Sequence, residues 1–221
     1  MVVKFSFLTF DCYGTLIDWR NGLETSLGEL LRSKGLNTGI SAYPVYVRLE
    51  AEQEASYKSY RCVLCDTAMS VAKHFGVEMT VNEANSFAEM IPDWKPFSDT
   101  VEVLNSLHER GYRVIILSNI DRDLLQRTIT RNKLTIDGYV TAEDVGSYKP
   151  SFGHWNRFFA EYKATNRETL HVAQSIYHDI VPSSKLGITN AWINRYGDPK
   201  PKEINPRYVF PNLAGLLNVL D

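Results

Sequence analysis

Phe5-Ser6-Phe7-Leu8-Thr9-Phe10-Asp11-Cys12-Tyr13-Gly14-Thr15-Leu16 is the stretch on which the reading of the whole chain turns. From Phe5 to Phe10 it is apolar and aromatic, interrupted only by Ser6 and Thr9, and it ends on a carboxylate. Gly14 follows three residues later, where a chain can turn sharply or bring its backbone close to a ligand. A short apolar run of this kind reads as a buried strand of a parallel sheet, and such sheets bind ligands beyond the carboxyl ends of their strands. Asp11 is therefore expected at that edge, where successive N–H groups and the Thr15 hydroxyl can surround an anion. A carboxylate fixed there can serve as a nucleophile. Asp is equally a favoured helix N-cap, and on this stretch alone the two readings stand even.

Working outward, Leu16 to Lys34 carries Leu23, Leu27, Leu30 and Leu31 at helical spacing, with Gly35 placed as a C-terminal cap. A second helix is predicted from Ala42 or Tyr43 to Ser59 and a third from Arg61 to Phe75. A fourth runs to Met90, announced by the capping-box pattern Thr80-Val81-Asn82-Glu83. The aromatics Tyr43, Tyr46, Tyr57, Tyr60 and Trp94 read as core of this helical stretch or as the wall of a pocket. The proline-broken run Ile91 to Phe97 is the way back. Alternation then begins. Helices are predicted at Ser98–Arg110, Asp121–Arg131, Ser151–Tyr162, Pro182–Leu186 and Asn212–Leu220, and strands at Arg113–Leu117, Gly138–Ala142, Thr169–Ala173, Asn190–Asn194 and Tyr208–Phe210. Strand–helix alternation around an all-helical segment argues for a parallel α/β sheet carrying a helical insertion.

At 221 residues the chain is long enough to bury roughly 70–75% of its unfolded surface without covalent staples. A composition 44% hydrophobic and 23% charged is that of a soluble globular protein. The net charge of −2 gives no pull towards nucleic acid or an anionic membrane. No apolar run approaches the ~20 residues of a membrane span, and Met1 to Phe10 lacks a cleavable-signal pattern, so the expected location is cytoplasmic. Cys62-Val63-Leu64-Cys65 matches C-x-x-C, but it has no second pair and no adjacent His. A structural role as buried, reduced thiols is expected for the cysteines.

The later strands also end in polar residues: Ser118-Asn119 after the second, Lys149-Pro150 downstream of the third, and Gln174-Ser175 then Tyr177-His178-Asp179 after the fourth. Each alone is more often a cap or a solvated loop residue. Together they put two carboxylates, a hydroxyl, an amide and an ammonium on one rim of one sheet, which is how an active site is built.

In these four segments the chain resembles the haloacid dehalogenase superfamily of hydrolases, whose motifs occur here in order as Asp11-Cys12-Tyr13-Gly14-Thr15, Ser118-Asn119, Lys149-Pro150 and the acidic loop ending in Asp179. The resemblance implies a Rossmann-like α/β core formed by residues 1–17 and 94–221, with residues 18–93 as an inserted all-helical cap. It also implies that Asp11 is the nucleophile. The phosphatases of the family carry a second Asp two residues on, as the acid for the leaving group; here that position is Tyr13, whose phenol, with an ordinary pKa of ~10, is a poor donor. The Asp-x-Tyr-Gly-Thr form is similar to the L-2-haloacid dehalogenase branch, in which the leaving halide needs no proton. By that resemblance Asp11 attacks the halogen-bearing carbon of a small 2-haloacid and forms an ester, Asp179 activates the water that hydrolyses it, and Lys149 neutralises and orients Asp11. Tyr13, Thr15, Ser118, Asn119 and Ser175 make up the substrate shell, and Arg48 on the second helix is the match for the branch's substrate-binding arginine.

The fourth motif departs from the branch. Its members carry Ser-Ser-Asn before the Asp, where this chain has Gln174-Ser175-Ile176, and phosphatases carry an Asp at the position of Ser175. Tyr177-His178 is a candidate source of the missing polar contacts, although His178 is more simply read as packing on its own loop.

No cofactor is expected in the dehalogenase reading, and the partners are a small-molecule substrate and, by default, a second copy in a homodimer. Two other readings remain. One is a Mg²⁺-dependent phosphatase, with Asp11, the Tyr13 carbonyl and Asp179 as cation ligands. The other is a non-catalytic ligand-binding protein that kept the fold.

Overall fold

The computed structural model describes residues 5–37 and 39–220. Among these, six strands form one parallel sheet: β1 (Phe7–Phe10), β2 (Arg113–Ser118), β3 (Gly138–Thr141), β4 (Thr169–Ala173), β5 (Thr189–Ile193) and β6 (Tyr208–Phe210), in the order β3-β2-β1-β4-β5-β6. β1 and β4 are buried along their whole length, as near-continuous apolar strands of a two-sided sheet must be. The chain leaves β1 towards β2 on one side and returns to β4 on the other, so the strand order reverses at β1. Ligand crevices of open α/β sheets lie at such a reversal. Thr9 is opposite Ile115 on one side and His171 on the other.

The chain divides into two compact units. One holds the sheet: the described residues up to Ile17, Pro96–Asn119, and those from Lys133 on. The other is helical and comprises Asp18–Lys95 together with Ile120–Asn132.

In the helical unit, the predicted Leu16–Lys34 helix is interrupted. α1 (Trp19–Leu23) passes into a wider π-helical turn, Glu24–Gly28, before α2 (Glu29–Ser33). Leu23, Leu27 and Leu31 keep one buried stripe, while the widened turn leaves Leu30 half-buried. α3 (Tyr43–Gln53) ends six residues before the predicted Ser59, because Ser59 instead caps α4 (Tyr60–His74) by accepting from Cys62 N. α5 (Val81–Met90) opens on the expected capping box. Trp94 lies so close over α1 that a Cβ on Gly22 would sit 2.4 Å from its ring. It stacks edge-on with Trp19, which does the same with Tyr46. Tyr46, Tyr60 and Trp94 are thus core, whereas Tyr57 is exposed. Cys62 is exposed as well, and Cys65 half-buried, so the thiols of the C-x-x-C pair are free but not the buried pair expected.

After α6 (Thr100–Glu109) and β2, α7 (Arg122–Asn132) joins the helical unit rather than the sheet unit to which the sequence division assigned it. The reason is local. Asp121 accepts from Tyr60 N and Arg61 N, both at 2.8 Å, and so caps α4 from a distance. Arg127 pairs with Glu89, Arg131 with Asp93, and Asn132 Nδ2 donates to Trp94 O.

Also in this unit, Tyr60 Oη donates to Glu50 Oε1 at 2.6 Å. Burial and then the nearby Glu54 carboxylate push the Glu50 pKa up to about 8. A carboxyl raised above its unfolded value of about 4.3 binds more protons folded than unfolded between those limits, so it lowers stability progressively as pH rises through that window. Glu50→Gln is expected to remove the loss. Denaturant midpoints of native and variant should converge at about pH 4 and separate by pH 8, with the variant the more stable. Parallel curves would mean that Glu50 titrates in the folded protein as it does in the unfolded chain.

In the sheet unit, β3 leads into the short α8 (Ala142–Val145), and α9 (Gly153–Tyr162) presses Trp155 and Phe158 onto Phe7, Ile115, Leu117 and Val140. α10 (Val181–Lys185) follows β4. The predicted closing helix is a 3₁₀ run, Leu213–Asn218, capped by the Asn212 side chain at Ala214 N. Among the described residues, no helix is long and apolar enough to cross a membrane.

Candidate active site

Asp11 follows β1 directly, and its N–H extends the ladder to Val172 O at 3.1 Å. The chain then turns tightly. Leu16 N and Ile17 N both donate to Cys12 O, and Gly14, at φ +91°, donates to Ile17 O. Only glycine takes that φ without strain. Arg195, just beyond β5, holds the turn from outside: its Nε and Nη2 donate to Thr15 O at 3.0 and 2.7 Å, and its guanidinium lies 3.7 Å from the centroid of the Phe97 ring. Asp99 pairs with the same guanidinium at 3.2 Å.

The Asp11 carboxylate is held on both oxygens. Thr15 Oγ1 donates to Oδ2 at 2.8 Å, and Lys149 Nζ donates to Oδ1 at 2.8 Å. The Thr15 hydroxyl in turn accepts from Gln174 N at 2.9 Å, which fixes its proton towards Asp11. Lys149 is placed by Asn119, whose Oδ1 accepts from Lys149 N at 2.7 Å and whose Nδ2 donates to Lys149 O at 3.1 Å. The Lys149 ammonium has three acceptors for its three protons: Asp11 Oδ1, Leu117 O at 2.9 Å and Asp179 Oδ1 at 2.7 Å. Asp179 lies in a π-helical turn, Ile176–Ile180, that Ser175 caps by accepting from His178 N.

The electrostatics follow from burial and from this cation. Burial lifts the Asp11 pKa above the ordinary carboxylate value; Lys149 pulls against it, and the Asp179 charge adds to it. Burial works the same way on Asp179, but there Lys149 and then the hydrogen bond from His171 prevail and hold the carboxyl low. Burial disfavours the Lys149 charge, and the two carboxylates outweigh it, so the ammonium persists beyond the usual lysine range. Cys12, beside Asp11, is pushed up by burial and then by the Asp11 charge, and is an inert thiol. Burial and then Lys149 push His154 down to about 3, so it is neutral, with Nε2 donating to Ser118 O at 3.1 Å.

Five positions from the sequence reading meet in this network: Asp11, Thr15, Asn119, Lys149 and Asp179. Ser118 is buried at the end of β2, Tyr13 is half-buried in the first turn, and Ser175 caps the fourth loop. The Thr15 hydroxyl is bonded to Asp11 and to Gln174 N, and the Asn119 amide brackets the Lys149 backbone. Arg48 belongs to the helical unit, where it pairs with Glu52 at 3.3 Å on an exposed face. Tyr177 is exposed, and His178 Nδ1 lies 3.2 Å from Ser175 Oγ on its own loop. Ile176 packs with Ala173, Ile180 and Trp192.

Sequence reasoning missed His171 and Arg195, and it named Gln174 without the role of its N–H at Thr15. His171 had a signal: it is the polar residue inside the apolar strand Thr169–Ala173, as Thr9 is inside β1. Arg195 had none.

A Mg²⁺ ion is commonly held by one or two carboxylates, with water and substrate oxygens completing its shell. Of the four carboxylate oxygens here, Lys149 and Thr15 engage three, leaving Asp179 Oδ2, which is buried without a hydrogen-bond partner. Among the described residues no group of three or more His, Cys, Asp or Glu is placed to hold a metal. In this arrangement the Lys149 ammonium is the cation that the two carboxylates hold.

Residues 7–181 match the model of the haloacid dehalogenase-like hydrolases. The chain is 25% identical over 232 residues to (S)-2-haloacid dehalogenase 4A of Burkholderia cepacia, an alignment covering 100% of this chain and 94% of that one. Its fold is similar to that of a dehalogenase solved as an intermediate complex, with a TM-score of 0.87 at 19% identity over 100% and 99% of the two chains. It is also similar to L-2-haloacid dehalogenase from Xanthobacter autotrophicus with chloropropionic acid covalently bound, with a TM-score of 0.84 at 18% identity over 97% and 98%. The polar strand ends, the buried Asp–Lys–Asp arrangement and the family match agree: this chain belongs to the haloacid dehalogenase-like hydrolases.

Proposed function

We propose that this hydrolase acts on small 2-halocarboxylic acids through an ester on Asp11, without a metal. The observation that carries this reading is the single Lys149 ammonium bonded to both Asp11 and Asp179. Two carboxylates and one ammonium leave one net negative charge in a buried site. An Asp11 oxygen attacks C2 of the haloacid, the carbon–halogen bond breaks, and the halide leaves with its electron pair. Esterification removes the Asp11 charge, so Lys149 and Asp179 then balance. Halide needs no proton, which suits Tyr13 at the position of the phosphatases' acid. Water next attacks the ester carbonyl with Asp179 as base, and Asp11 is regenerated. Thr15 and Asn119 act as positioning residues, the first on Asp11 and the second on the Lys149 backbone. The covalent chloropropionic acid of the Xanthobacter neighbour supports an intermediate of this kind.

The test is halide release from L-2-chloropropionate with and without chelator. Release indifferent to chelator is expected. No halide, together with Mg²⁺-dependent turnover of activated phosphoesters, would overturn the proposal in favour of a phosphatase.

A further inference from the structure

His171 stands within β4 with no exposed surface. Its Nε2 lies 3.0 Å from Asp179 Oδ1 and its Nδ1 lies 2.9 Å from Thr9 Oγ1, its register partner on β1. A carboxylate only accepts, so Nε2 carries the proton of the first contact. The Trp155 ring packs edge-on against the imidazole, with centroids 5.3 Å apart, and limits its rotation.

A buried histidine is most simply explained by its own need for partners. The distribution of donors on Asp179 asks for more. Lys149 Nζ and His171 Nε2 both reach Oδ1, while Oδ2 is buried and makes no hydrogen bond. A carboxylate on Lys149 alone can rotate about Cβ–Cγ and exchange its oxygens. Two donors converging on Oδ1 oppose that rotation and keep Oδ2 as the oxygen left to accept a proton.

We infer that His171 is a positioning residue that holds Asp179 with Oδ2 available as base for hydrolysis of the Asp11 ester. The inference rests on the ester mechanism proposed above. In that step the water oxygen bonds to Asp11 Cγ and one water proton passes to Asp179 Oδ2. The ester Cγ–O bond then breaks, and the departing hydroxyacid oxygen takes the proton from Asp179. Asp11 is left as a carboxylic acid and releases the second water proton to solvent. Attack on the haloacid itself needs no base, so loss of His171 bears on the second step and not the first.

The experiment is rapid-quench halide release from L-2-chloropropionate, with intact-protein mass to detect the ester. It compares native protein with His171→Phe, His171→Gln and Thr9→Val. His171→Phe is expected to release one halide per site at the native rate and then stall, with turnover reduced roughly 10- to 100-fold and esterified protein accumulating. Gln places an N–H near the position of Nε2 and should recover most of the turnover. Thr9→Val keeps the β-branched shape of a buried strand residue, so it tests the same step without a large change in packing; a smaller loss with some ester is expected. Steady-state turnover of His171→Phe within twofold of native would overturn the inference while leaving the ester mechanism intact. So would a slowed first turnover with no accumulated ester, in the Phe and Val variants alike. Native protein that releases no halide refutes the mechanism itself, and the inference falls with it.

Discussion

Asp11→Asn should abolish halide release, lowering turnover by about 10⁴-fold or more, the scale seen when a covalent nucleophile is removed. A carboxamide oxygen is a far weaker nucleophile than a carboxylate, and no ester forms to be hydrolysed. The loss should not come from unfolding. The folded Asp11 pKa is raised by burial, against the pull of Lys149, so at pH values above its unfolded pKa the ionised side chain lowers stability. Asn keeps an oxygen for Lys149 Nζ and carries no charge to repel Asp179. The variant is therefore expected to be at least as stable as native protein at pH 7 by denaturant midpoint, while releasing no halide. The same shift bears on the native pH profile: Asp11 must be ionised to attack, so activity should fall with acidification at a pH above the ordinary Asp value. An inactive variant that is also strongly destabilised would mean that Asp11 serves the fold more than the chemistry.

What the sequence made legible is what parallel-sheet physics makes local. β1, Phe7–Phe10, falls within the run Phe5–Phe10 read as a strand because a two-sided buried strand must be apolar, and Asp11 stands out because it breaks that run at the ligand end. Ser118 is found in the same way at the end of β2, whereas Asp179, in the loop beyond β4, is found by the motif resemblance. Lys149 is found by the motif resemblance, since nothing local distinguishes a lysine before a proline from a solvated one. The rest depends on register and on contacts across long separations. Thr9 and His171 are 162 residues apart, and only the β1–β4 register puts them in contact. Arg195 reaches Thr15 across 180 residues. The sequence reads Asp121 as the start of a helix; its carboxylate caps α4, which carries α7 into the helical unit. The π-helical turns at Glu24–Gly28 and Ile176–Ile180 insert a residue into a helical repeat, and periodicity alone does not see that. The second of them bears on the fourth motif, where Ile176 packs in an apolar cluster and the Gln174 N–H is the group that reaches the nucleophile's turn.

Lys149→Met tests the central cation, and its effect on stability should be the largest of any single substitution at the site. Methionine fills much of the same volume without the charge. Three acceptors then lose their donor: Asp11 Oδ1, Asp179 Oδ1 and Leu117 O. Both carboxylates stay buried within reach of what was one ammonium, and breaking a buried pair by removing one partner typically costs about 3–5 kcal/mol. Turnover should be lost as well, because neither the nucleophile nor the base is held. The pH dependence gives the decisive sign. In native protein Asp179 has a lowered pKa, so it contributes stability above its unfolded pKa that is lost as pH falls through the folded value. In the variant both carboxylates are raised by burial and mutual repulsion, so its stability rises as pH falls and one of them takes up a proton. The gap between native and variant should therefore be widest near neutrality and narrow on acidification, and adding Asp11→Asn to Lys149→Met should recover part of it. A gap independent of pH, unaffected by the second substitution, would show that Lys149 acts through packing alone and would remove the charge balance on which the ester mechanism depends.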